Sequence, residues 1–214
     1  MKVVIFDMDG VISDTQTLHA EAEEELFKRY GIEIIAQEIT ERYAGMSDKE
    51  FFETVFSEYG KLIHNVDMII EEKWKKVLDL ARGRISAIEG VVDLIEKLKR
   101  ANFRLGLASA SKKEFIELVL SELKIKEYFY AVTSAYEVEF GKPNPAIFLL
   151  TAKKLSVLPE ECTVIEDGKL GMVAAKKAGM KCIGLVNKDN VDKGEYKADK
   201  IVKRLTELQL SDFQ

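Results

Sequence analysis

Apolar and polar positions follow two different rules along this chain. It opens on a continuous apolar run, Val3-Val4-Ile5-Phe6, which reads as a buried strand over 2–6 and stops abruptly at Asp7. From about 15 to 80 the rule changes. Apolar residues recur three or four apart: Leu18, Ala22, Leu26 and Tyr30; Phe51, Phe52, Val55 and Phe56; Ile69, Ile70, Trp74, Val77 and Leu78. This spacing predicts helices with one buried face and no strand in the block, punctuated by Gly31, Gly45 and Gly60. From Ile88 onward short apolar runs alternate with helical spacing. Strands are predicted over 104–108, 130–133, 163–165 and 181–186. Helices are predicted over 91–98, 113–123, 145–155 and 169–178, the last closed by Gly179. Strands alternating with helices predict an α/β fold, a parallel sheet covered on both faces.

Composition narrows the classes. The 214 residues suit one large domain or a core carrying a smaller insertion. Hydrophobic residues make up 47% and only three prolines occur, which excludes disordered and fibrous classes. No apolar run approaches membrane-spanning length, and the first run is too short for the core of a signal peptide. A soluble cytoplasmic protein is the expectation, with no membrane partner. The net charge is −5 with no basic block, so nucleic-acid binding has no electrostatic support. Cys162 and Cys182 lack C-x-x-C or zinc spacing and are expected to be buried reduced thiols. No heptad run or exposed apolar seam is evident, so a monomer is expected.

The chemistry gathers where the predicted strands end. Asp7 and Asp9 follow the first strand, Ser109 ends the second, Glu166-Asp167 end another, and Lys142 sits in the loop Gly141-Lys142-Pro143. Ligands of parallel sheets bind beyond the carboxyl ends of the strands. Each group also has a plainer use: an acidic turn capping a helix for Asp7-x-Asp9-Gly10, a helix cap for Ser109, Ser111 or Asp167, solvation for Lys142. The coincidence of four segments favours a site. There Asp7 attacks phosphorus, and Asp9 protonates the leaving oxygen and then activates water. Crowded carboxylates call for a cation, and oxygen ligands with a phosphate suit Mg²⁺. Ser109 Oγ, the Ala110 N–H and the Lys142 ammonium would bind the phosphate oxygens.

The segments at 6–15, 107–111, 141–145 and 164–168 resemble, in order, the four motifs of the haloacid dehalogenase superfamily, and the resemblance runs from Lys2 to about Ile201. It implies a Rossmann-like core, 1–14 with 85–214, and an inserted helical cap, 15–84. It implies Asp7 as nucleophile, Asp9 as general acid/base, Ser109 and Lys142 on phosphate, and Mg²⁺ on Asp7, the Asp9 carbonyl and Asp167, with Glu166 beside or on the metal. Ala146 and Gly168 stand where the family usually has aspartate and serine.

Within the family, Asp9 sets this chain apart from the dehalogenase and phosphonate-hydrolase branches, which lack that aspartate. The beta-phosphoglucomutase and phosphoglycolate-phosphatase-like branch fits best. His19 and the loop Gly45-Met46-Ser47-Asp48-Lys49 resemble its cap, so His19, Gly45 and Lys49 are expected to meet substrate. The mutase, however, has an arginine where this chain has Asp48. An aspartate there would repel a second phosphate, with Lys49 and Arg42 as the cations placed to compensate. A phosphatase acting on a small phosphorylated metabolite is therefore favoured over a sugar-phosphate mutase. A non-catalytic binding protein on the same scaffold is the third reading.

Overall fold

The computed structural model describes residues 2–43, 46–187 and 195–213. The chain forms two compact units, Thr15–Ile85 and the combination of Met1–Asp14 with Ser86–Gln214.

The first unit is helical: α1 (Gln16–Arg29), α2 (Ala36–Tyr43), α3 (Asp48–Glu58) and α4 (Val66–Ala81). The apolar positions at helical spacing become its interior. Leu18, Ala22, Leu26, Phe51, Phe52, Val55, Phe56, Ile69, Ile70, Trp74 and Val77 are all buried. Phe27 packs against Phe51, Phe52 and Phe56 with ring centroids 5.6–6.0 Å apart, within the range for favourable aromatic pairs. Tyr30 departs from the expected pattern and is exposed, because α1 ends at Arg29 and Gly31 (φ +67°) turns the chain away. Ser47 caps α3 by accepting the Glu50 N–H, and Asn65 caps α4 by accepting the Met68 N–H.

This unit also buries charge. Lys73 Nζ lies 2.7 Å from Asp48 Oδ1 and 3.5 Å from Glu23 Oε1, while Trp74 Nε1 donates to Asp48 Oδ2 at 2.7 Å. Burial alone would lower the Lys73 pKa, but the two carboxylates outweigh it and hold the ammonium above its ordinary value. Burial raises the Glu23 carboxyl above its ordinary value, an effect that Lys73 offsets only in part.

The second unit is built on a six-stranded sheet: β1 (Val3–Phe6), β2 (Arg104–Ser109), β3 (Phe129–Ser134), β4 (Cys162–Glu166), β5 (Lys181–Leu185) and β6 (Lys200–Val202). The order is β3-β2-β1-β4-β5-β6 and every pairing is parallel. All four residues of β1 are buried, which explains its continuous apolar run. The three-residue β6 was not expected, since a strand this short leaves no periodic signal.

Among the described residues the α-helices of this unit are α5 (Val91–Arg100), α6 (Lys113–Glu122), α7 (Ala146–Leu155) and α8 (Lys169–Lys177). On one face Val3, Ile5, Val164 and Cys182 pack with Ile147, Phe148 and Leu155 of α7 and Met172 of α8. Gly106 lets α7 come close, because a β-carbon there would lie 2.9 Å from Leu155 and 3.0 Å from Thr151. Helices α5 and α6 pack on β2 and β3. Both cysteines are buried and unpaired, and burial pushes their thiols up to about 11 and about 12, so both stay protonated. Among the described residues, no helix is long and apolar enough to cross a membrane.

From β1 the chain builds outward through β2 to β3, then returns to β4 on the other side of β1. The carboxyl ends of β1 and β4 therefore flank the point where strand order reverses, the place where such sheets bind ligands.

Candidate active site

Asp7 follows β1 directly, and its N–H donates to the Ile165 carbonyl at 3.0 Å, which fixes it beside the end of β4. Glu166 is the last residue of β4 and is buried. Lys142, from the loop before α7, reaches between them with Nζ 2.6 Å from Asp7 Oδ1 and 2.6 Å from Glu166 Oε2. The other Glu166 oxygen accepts the Gly168 N–H at 3.0 Å. Three segments distant in sequence thus share one buried charge cluster.

The electrostatics of this cluster are lopsided. Burial would lower the Lys142 pKa, but Asp7 and Glu166 together raise it, so the ammonium stays charged. Asp7 moves the other way from an ordinary ion-paired carboxylate. Burial, then the charge of Glu166, raise its pKa well above normal despite Lys142, with Asp167 and Asp9 adding to the rise. Lys142 alone does not offset the effect of burial and of the neighbouring carboxylates on Asp7. Carboxylate oxygens of Asp7, Glu166 and Asp167 lie within 4.8 Å of one another. Three hard oxygen donors at that spacing fit a divalent cation such as Mg²⁺.

Asp9 is delivered by a tight turn. Gly10 adopts φ +88°, and the Met8 carbonyl accepts the Ile12 and Ser13 N–H groups at 2.8 and 3.1 Å. The turn directs Asp9 towards β2. There its Oδ2 accepts the Ser111 hydroxyl at 2.9 Å and the Ser109 hydroxyl at 3.4 Å. Ser109 Oγ also accepts the Ser111 N–H, and Ser134 Oγ donates to the Ser111 carbonyl. Asp9 Oδ2 is thus held by the two serines of the β2 end.

Ser111 is a residue that the sequence reading left as a possible helix cap. The N-cap of α6 is Lys112 and makes no side-chain cap bond, so neither Ser109 nor Ser111 is spent on capping. Spacing held the clue: Ser111 lies two residues past Ser109 on the same strand-end loop. The N-cap position of α8 is Gly168, one residue past Asp167. Ala110 is exposed at the end of β2.

Asp7, Asp9, Ser109, Lys142, Glu166 and Asp167 therefore converge in the sheet unit. The other expected substrate residues belong to the helical unit. The His19 ring meets the Trp74 ring edge-on at 5.3 Å, Lys49 is exposed in the first turn of α3, and Gly45 lies outside the described residues. Asp48 corrects one expectation. It is bonded to Lys73 and Trp74 instead of standing as an uncompensated charge. Arg42, expected to offset it, is paired with Glu38 and Glu58.

Fold and site together define a doubly wound α/β enzyme with a carboxylate–lysine centre at the reversal of strand order. The chain belongs to the haloacid dehalogenase-like hydrolases, whose family pattern it matches over residues 4–185. It is 32% identical to a phosphorylated carbohydrates phosphatase of Thermotoga maritima, over 92% of this chain and 91% of that protein. It is 31% identical to a beta-phosphoglucomutase of Bacillus subtilis, over 98% and 92%. The crystal structure of CbbY from Rhodobacter sphaeroides in complex with phosphate superposes with a TM-score of 0.87 at 27% identity, covering 100% of this chain and 99% of that one.

Proposed function

We propose that this chain is a Mg²⁺-dependent phosphatase of a small phosphorylated metabolite, of the sugar-phosphate or phosphoglycolate type, working through an aspartyl-phosphate on Asp7. The observation that carries the reading is Lys142 set 2.6 Å from both Asp7 and Glu166 at the strand-order reversal, beside Asp167. The similarity to a phosphatase of phosphorylated carbohydrates supports the substrate class.

In this reading Asp7 Oδ attacks phosphorus while the ester P–O bond breaks and Asp9 protonates the departing oxygen. Asp9 then takes a proton from water as that water attacks the same phosphorus, breaking the P–O bond to Asp7 and releasing phosphate. Ser109, the Ala110 N–H and Lys142 hold the phosphoryl oxygens. Asp7, Asp167, Glu166 and the Asp9 carbonyl would hold Mg²⁺, which would supply positive charge to favour the ionised Asp7 and to offset that of the phosphate. Residues 1–14 and 85–214 act as the core and 15–84 as a cap, with His19, Gly45 and Lys49 meeting substrate. The protein works as a cytoplasmic monomer, with neither nucleic acid nor membrane as partner.

The mutase alternative is favoured by the likeness to a beta-phosphoglucomutase. Against it stand Asp48 at the mutase's arginine position, committed to Lys73, and Arg42, committed to two glutamates. A panel of phosphorylated metabolites, with and without Mg²⁺, tests the reading. It should release phosphate from a subset only when Mg²⁺ is present. Isomerisation of a hexose 1-phosphate, dependent on a bisphosphate primer and faster than phosphate release, would establish the mutase instead.

A further inference from the structure

Gly171 is the third residue of α8, in its first turn, and is buried. Its backbone does not demand glycine, because it is absent from the glycines with positive φ, which are Gly10, Gly31, Gly60, Gly83, Gly90 and Gly179. Inside a helix, glycine destabilises relative to alanine. A specific reason for its presence is therefore needed, and the surroundings supply one. A β-carbon built on Gly171 would fall within the carboxylate group of Glu166 and 2.7 Å from its Cγ.

Glu166 has little room to yield. Its side chain is buried and both of its oxygens are engaged, one by the Gly168 N–H and one by the Lys142 ammonium. At Gly106, by contrast, the same test meets the ends of apolar side chains that take no part in the site. A methyl group on residue 171 would drive the carboxylate off α8 and disturb both bonds.

We infer that Gly171 is a positioning residue: by presenting no side chain, it gives the Glu166 carboxylate the space from which it holds Lys142 against Asp7. The effect on turnover rests on the phosphatase reading above. The coupling between Gly171 and Glu166 does not, so the two are separable by experiment.

The test is a double-mutant cycle of Gly171→Ala, Glu166→Ala and the pair together. It is read by melting temperature, by Mg²⁺ affinity in calorimetry and by turnover of the best ester from the metabolite panel. Gly171→Ala alone should lower turnover by roughly ten- to a hundredfold, the scale expected when a catalytic group shifts by about 1 Å. It should also weaken Mg²⁺ binding and lower the melting temperature by a few degrees, as overpacking does. Added to Glu166→Ala, the same substitution should change turnover and Mg²⁺ affinity by less than about twofold and leave the melting temperature equal or higher. A Gly171→Ala protein that fails to fold while the double variant folds also supports the coupling. Equal losses in both backgrounds, a harmless Gly171→Ala, or a double variant that fails to fold would overturn it. Should the wild-type protein release no phosphate from any ester, the phosphatase reading fails while the melting-temperature cycle still decides the role of Gly171.

Discussion

Each unit of this protein buries a lysine between two carboxylates, and the two clusters serve opposite ends. Lys73 sits between Asp48 and Glu23, and the second oxygen of Asp48 is taken by the Trp74 indole. Lys142 sits between Asp7 and Glu166, but Asp167 and Asp9 add further negative charge at the carboxyl ends of the strands. The difference shows in the acids. In the helical unit Asp48 is matched by direct donors, and burial leaves Glu23 the weaker acid. In the sheet unit burial, and then the surplus of carboxylates, hold the Asp7 pKa well above its ordinary value despite Lys142. A buried ion pair alone is weak grounds for function. What marks the second cluster is the two further carboxylates, Asp167 and Asp9, that act on Asp7 beside the one lysine.

That contrast is sharpest at Asp7. Asp7→Asn should reduce phosphate release by about 10³-fold or more, the scale seen when a covalent nucleophile is removed. Measured by released phosphate under saturating Mg²⁺, near-normal turnover would remove Asp7 from the chemistry. Next come the two lysines. Lys73→Met leaves two buried carboxylates without their cation and should cost about 3–5 kcal/mol, a fall of roughly 6–20 °C in melting temperature. Mg²⁺ should not restore it. Lys142→Met should also lower stability, but Mg²⁺ should recover part of that loss while turnover stays down by about 10²-fold. Thermal melts with Mg²⁺ and with EDTA compare the pair, and identical responses would erase the distinction between the clusters.

A smaller effect belongs to Ser111. Ser111→Ala removes the 2.9 Å hydrogen bond to Asp9 and should lower kcat by about tenfold with KM little changed. Steady-state kinetics would show whether KM moves instead. The smallest is a pH effect in the helical unit. Glu23 has a folded-state pKa above its ordinary 4.5, so the folded protein keeps a proton that the unfolded chain has lost. Its stabilising contribution is full below pH 4.5 and fades as pH rises through the raised value. Glutamine does not titrate, so the melting temperature of Glu23→Gln minus that of the wild type should increase as pH rises from 4.5. A difference independent of pH would mean that the Glu23 pKa is not raised on folding.

Much of this was legible in the chain. The run Val3 to Phe6 and the alternation after Ile88 announced a parallel sheet, because strands buried on both faces carry continuous apolar runs. The block from 15 to 80 announced helices, because one buried face imposes its own period. Asp7, Asp9, Ser109 and Asp167 stood at strand ends, where backbone direction alone sets the side of the sheet they reach. The β6 strand escaped notice, since three residues cannot display a period. Tyr30 was misplaced because periodicity does not say where a helix stops.

Local pattern thus determined the elements, their order and the residue types at the strand ends, all properties that nearest neighbours in the chain encode. Partnership between side chains was decided by packing. Lys142 lies 135 residues from Asp7, and Lys73 lies 25 from Asp48. Nothing local says which carboxylate each ammonium will meet, so Asp48 read as a repelling charge until the fold paired it. The same holds for Gly171. In the sequence it is a helix-weakening glycine, and only the position of the Glu166 carboxylate beside its α-carbon makes a missing side chain the feature that matters.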